Sequence, residues 1–148
     1  MSITLSPADL GEAGETKFKL LCTQAGLVCN KSTRDVTGWD FIVEFPMVVP
    51  GPAMALDQRA ATSCHVQLKS TATAIGRVSL KLSAIEHIAK KISPALIIVL
   101  LLRADGEGIT GFAIHLLGRE LAKVLKRLRA AHACTYIQEY GKVRNSAR

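Results

Sequence analysis

The chain reads as an α/β domain, a mixed central sheet flanked by helices in the order α-β-β-β-α-β-β-α. Three observations predict it. Residues 38–44 and 65–71 alternate apolar and polar side chains, the period of a strand with two unlike faces. Residues 95–102 are an unbroken apolar run, as expected for a strand covered on both faces. Between and around these lie helical patterns at residues 10–25, 83–91 and 118–133. A helix between two strand groups is the mark of a crossover connection, and hence of a sheet that is at least partly parallel.

The elements follow in order. Ser6 and Pro7 close an N-terminal arm, residues 1–9. The first helix then runs over residues 10–25, with Phe18, Leu21, Cys22 and Ala25 on its apolar side and Gly26 as its stop. Residues 27–30 form the first strand, and residues 31–38 a polar turn that includes Asp35. In the strand that follows, Asp40, Ile42 and Glu44 share one face and Phe41, Val43 and Phe45 the other. Pro46, Pro50, Gly51 and Pro52 make residues 46–63 a loop. In the third strand His65, Gln67 and Lys69 lie opposite Val66 and Leu68.

Residues 78–82 read as a short extended piece. Ser83 and Glu86 have the spacing of a capping box for a helix ending near Lys91. Pro94 precedes the apolar strand, residues 105–108 turn, and residues 109–115 return. The last helix carries Leu117, Leu121, Val124, Leu125 and Leu128 on one side and Arg119, Lys123, Lys126 and Arg127 on the other. Residues 136–140 read as a final strand. The domain thus spans residues 10–140, and residues 141–148 are a basic tail.

The chain has 148 residues, enough for one core. No apolar run approaches the roughly 20 residues that span a bilayer, and no basic-then-apolar leader opens the chain. Cys22, Cys29, Cys64 and Cys134 lack paired spacing, which suits reduced thiols in the cytoplasm. Net charge is +7 and unevenly placed: residues 1–60 carry a balance of −2, residues 61–148 one of +9. Acids gather near Asp40 and bases elsewhere. That division suits a polyanionic substrate and a cationic cofactor. A lysine and an amide on one strand, facing a carboxylate on its neighbour, can together hold a divalent metal and a water.

At these residues the sequence resembles the PD-(D/E)XK nuclease superfamily, most closely its Mrr-like and Holliday-junction-resolvase-like branch, in which a Gln can replace the middle acid. The likeness covers residues 10–103. It implies a restriction-endonuclease-like sheet with Asp40, Gln67 and Lys69 as catalytic residues. The ligands of Mg²⁺ (or Mn²⁺) would be Asp40, Gln67 and a first-helix acid, Glu15, with Glu12 as the alternative. Glu44 and His65 share the same faces and are accessory candidates. Arg119, Lys123, Lys126 and Arg127 are candidates for phosphate contacts. The resemblance further implies a DNA endonuclease, with DNA preferred over RNA. It would serve prokaryotic restriction or antiphage defence as a homodimer or higher oligomer, with a further subunit or domain. Gln67 in place of an acid keeps open a catalytically inactive nuclease-fold module for nucleic-acid binding or complex assembly.

Overall fold

The computed structural model describes residues 6–33, 38–46, 62–73, 79–103 and 109–145. Its elements are α1 (Pro7–Gln24), β1 (Val28–Lys31), β2 (Phe41–Glu44), β3 (Ser63–Thr71), α2 (Leu82–Ala89), β4 (Ala95–Leu102), β5 (Ile109–His115) and α3 (Gly118–Asn145). The strands form a single mixed sheet in chain order, β1-β2-β3-β4-β5. The β3–β4 pair is parallel and is joined through α2; the other three pairs are antiparallel. The α/β class and the eight-element order follow the sequence pattern.

Each face of the sheet has its own core. On one, Phe18 and Cys22 of α1 pack against Phe41, Val43, Cys64, Val66, Leu68, Leu100 and Leu102. The Phe18 and Phe41 ring centroids lie 5.1 Å apart. Phe41 is fully buried, which stabilises by about 1.5–3 kcal/mol for a side chain of this size. On the other face, Ile88 of α2 packs with Ala95, Ile97, Val99 and Leu116, flanked by Trp39, Leu80, Ile114 and Val124. The alternation in β3 places Cys64, Val66 and Leu68 in the α1 core. His65, Gln67 and Lys69 are thereby turned to the α2 side.

Several boundaries differ from the sequence reading, each for a local reason. Ser6 does not close an arm. It caps α1, its hydroxyl accepting from the Asp9 N–H at 3.2 Å, and Pro7 opens the helix. Proline suits that position because its missing N–H has no partner to lose there. The Ser83–Glu86 capping box does not form; Lys81 is the N-cap and makes no side-chain bond. Glu86 instead pairs with Lys90 one turn on and reaches His132 of α3 at 3.4 Å. Residues 136–140 are not a strand, because α3 continues through them to Asn145. Once a helix is nucleated each further residue adds a bond cheaply, and no proline intervenes. Leu117, placed on the apolar stripe by spacing, is 63% exposed. The extended piece expected at 78–82 does not form among its described residues: 79–81 pair with no strand and Leu82 opens α2. Residues 47–61 of the expected loop, Asp35, Val78, the turn at 105–108 and the end of the tail lie outside the described residues.

All four cysteines are free thiols. Burial, reinforced by Cys29 and Cys64 close by, pushes the Cys22 thiol up to about 12. It stays protonated and acts as a small apolar side chain.

Gly14 fixes the approach of α1 to the sheet. A Cβ there would stand 1.7 Å from Ser70 Oγ and 2.8 Å from Ser70 Cβ. Rotating the hydroxyl relieves the first clash and leaves the second. Gly→Ala inside a helix ordinarily gains about 0.5–1 kcal/mol. Overpacking costs about 1–3 kcal/mol, so the clash wins. Gly14→Ala is expected to lower stability in chemical denaturation, and Ser70→Gly in the same chain to recover part of the loss. A stabilised Gly14→Ala would contradict this packing.

Candidate functional site

Asp40 sits one residue before β2, opposite Gln67 in the continued register of β2 against β3. Its backbone N–H donates to Val66 O at 2.8 Å, and its carbonyl accepts from Ser32 N–H at 2.8 Å. Where the ladder would next need a backbone carbonyl, the Asp40 side chain supplies the acceptor. Its Oδ2 accepts from the Leu68 backbone N–H at 2.7 Å and from Gln67 Nε2 at 2.7 Å. Bonds to an ionised acceptor are among the stronger ones in proteins. One carboxylate oxygen thus ends the strand pairing and holds the amide of the neighbouring strand.

Asp40, Gln67 and Lys69 line one hollow of about 620 Å³. Its other walls are Gly38, Trp39, Leu80, Lys81, Ser83, Ala84 and His87. The three residues singled out by alternation are therefore on the same side of the sheet and face a common space. Lys69 is half-buried, and its side chain makes no hydrogen bond or ion pair among the described residues.

Gly38 brings the far wall close. It has φ +74°, and a Cβ on it would meet His87 Cβ at 2.5 Å and the Ala84 carbonyl oxygen at 2.7 Å. Both the left-handed backbone and the close contact require glycine. The segment leading into Asp40 is thereby seated on α2. Lys81, Ser83 and His87 enter the site by this tertiary contact, and sequence reasoning missed them. The available signal was the four-residue spacing of Ser83 and His87, which puts both on one helix face.

The remaining predicted residues are dispersed. Glu15 lies outside the hollow and pairs with Lys31 at the end of β1. Lys31, also missed from sequence, is raised above its ordinary value chiefly by Glu15, with smaller contributions from Asp40 and Glu12. Glu12 is exposed. Glu44 accepts from the Asn30 amide at 3.1 Å. Among the described residues no three His, Cys, Asp or Glu side chains gather as a metal cluster. Lys123, Lys126 and Arg127 line a different groove of about 560 Å³, between α3 and the β4–β5 half of the sheet, floored by Ile97, Ile114 and Leu116. Lys123 is paired with Glu120 at 2.7 Å, and Arg119 is outside that groove.

His65 meets the edge of Trp39, with ring centroids 5.1 Å apart and an interplanar angle of 69°. Its Nδ1 is buried and has no hydrogen-bond partner among the described residues. Burial, followed by the nearby Lys91 charge, holds its pKa below the ordinary 6.5.

No protein-family model matches the sequence, and no curated protein matches it either.

Two outcomes follow from this geometry. Asp40→Ala leaves the Leu68 N–H without its acceptor, which costs about 1–3 kcal/mol for a buried group. Asp40→Asn keeps an acceptor oxygen and is expected to melt closer to wild type in a calorimeter. Below pH 6.5 the unfolded chain protonates His65 while the folded protein resists, so stability falls as pH drops through that range. Replacing His65 by Gln should flatten the melting temperature between pH 7 and pH 5. An unchanged slope would show that His65 does not carry the acid sensitivity.

Proposed function

We propose that the chain is a metal-dependent nuclease domain that hydrolyses DNA phosphodiester bonds on a restriction-endonuclease-like sheet. The observation that carries this reading is the convergence of the Asp40 carboxylate, the Gln67 amide and the Lys69 ammonium on one hollow. Phosphodiester hydrolysis asks for an activated water and for relief of charge on the phosphate. The donor set suits a hard cation: Asp40 and Gln67 would hold Mg²⁺ or Mn²⁺, since such ions accept one or two carboxylates and complete their shell with water and substrate phosphate. When bound, the ion would offset phosphate charge and acidify a coordinated water.

The protein's own groups have defined tasks in this scheme. Gln67 now turns its amide N–H toward Asp40. To offer its carbonyl oxygen instead it must rotate, which breaks a 2.7 Å bond and is favourable only if a cation replaces the lost proton donor. Asp40 keeps the Leu68 N–H throughout and so stays oriented. Lys69 has no carboxylate of its own among the described residues. Its ammonium is therefore available to orient the attacking water or to meet charge growing on the phosphate. Cutting both strands of a duplex needs two such sites, which is the reason to propose a homodimer or a complex with a further defence-system subunit.

A second reading also has an observation behind it. One oxygen of Asp40 is already engaged by two N–H donors, and Glu15 is paired with Lys31. A nuclease-fold module that binds nucleic acid or assembles a complex without cutting would have this arrangement. Plasmid DNA with Mg²⁺ or Mn²⁺ separates the two. The nuclease reading expects cleavage that is abolished by EDTA, by Lys69→Ala and by Asp40→Asn, each at least about 100-fold, the scale of losing one transition-state charge contact. Binding without cleavage under all these conditions would favour the module.

A further inference from the structure

We infer that the α2 wall of the hollow, formed by Lys81, Ser83 and His87 with Lys69 facing it, is a phosphate-binding subsite. It would hold the nucleic-acid backbone beside the Asp40–Gln67 pair. The identity of the polymer rests on the nuclease reading above; the preference for an anion rests on the wall itself.

The polar groups around the hollow fall into two sets. Asp40 and Gln67 are bonded to each other. The side chains of Lys69, Lys81, Ser83 and His87 make no hydrogen bond or ion pair among the described residues. Elsewhere the lysines nearest an acid are used: Lys31 pairs with Glu15, Lys90 with Glu86 and Lys123 with Glu120. Among the described residues the hollow thus collects two ammonium groups with no acid paired to them, a hydroxyl and an imidazole against one carboxylate. A concave wall of one charge sign, with apolar Trp39, Leu80 and Ala84 beside it, focuses potential on an anion.

The wall is also prearranged. Gly38 seats the lead to Asp40 directly on Ala84 and His87. The anion-seeking wall is therefore held at a set position relative to the carboxylate, with little ordering left to do on binding. Charge divides the hollow: a cation is repelled by the α2 wall and drawn to Asp40, and a phosphate the reverse.

Binding is read without cleavage, in EDTA, by fluorescence anisotropy of a short labelled DNA duplex. The variants are Lys81→Ala, Ser83→Ala, His87→Gln and the charge reversal Lys81→Glu. Lys19→Ala, on the other side of the sheet, is the control. All of these side chains are exposed, and thermal melting checks each fold. Lys81→Ala should weaken binding about three- to tenfold and reduce the salt slope by about one. His87→Gln should weaken it less, Lys81→Glu more, and Lys19→Ala not at all. Wild-type affinity and slope in both Lys81 variants would overturn the subsite, as would a wild-type protein that binds no DNA. Inorganic phosphate that displaces the duplex as well as an equal phosphate concentration of unlabelled DNA would overturn the backbone assignment. Binding that depends on Lys81 without cleavage in Mg²⁺ would sink the nuclease reading and leave the subsite standing. Cleavage that ignores Lys81 would do the opposite.

Discussion

The Asp40 carboxylate is where strand pairing and the proposed chemistry meet. Its oxygen takes the place of a ladder carbonyl for Leu68 and holds the Gln67 amide. The carboxylate cannot move without leaving a backbone donor of β3 unsatisfied. The side chain that a cation would need is thus positioned by the same bond that ends the β2–β3 pairing. The Asp40 backbone adds a bond to β3 and one to the chain just beyond β1. Orientation of the site is a by-product of closing the sheet edge.

A second constraint sets the depth of the hollow. Gly38 lets the chain pass within contact of α2, and α2 is anchored by Ile88, which is buried in its core. The hollow lies between a sheet face and a helix that the chain has already tied together. The cationic wall and the carboxylate wall come from different elements, so neither segment alone carries the site.

What could be read from the sequence was local. The alternation around Phe41 and Val66 assigned both strand faces correctly, because a one-residue error would have turned buried valine and phenylalanine to solvent. That same alternation brought Asp40, Gln67 and Lys69 to a common side. The apolar run at β4 was legible because both its faces are covered. Boundaries were less legible. Ser6 followed by Pro7 is a helix-start signal, yet it competes with a plain turn. Glu86 had the spacing to cap α2 and pairs with the Lys90 ammonium instead of a backbone N–H. The continuation of α3 depended on propagation from an existing helix, which a short window does not report. Lys31, Lys81 and His87 were missed for a different reason: the spacing of Ser83 and His87 puts them on one helix face but does not say what that face meets. Their relation to Asp40 exists only after β1 and α2 are packed, and no spacing along the chain encodes it.

The strand order has a consequence for how the molecule assembles. Because spatial order follows chain order among the described strands, each of their pairings joins consecutive strands and none of them must be threaded between two others already in place. The β4–β5 pair can zip as a local hairpin. The parallel β3–β4 pair must wait for the intervening helix to span the gap, and such non-local closure is the slow kind. Since Lys69 belongs to the strand on one side of that gap and His87 to the helix within it, the hollow would be completed late, by the slowest joint of the folding reaction.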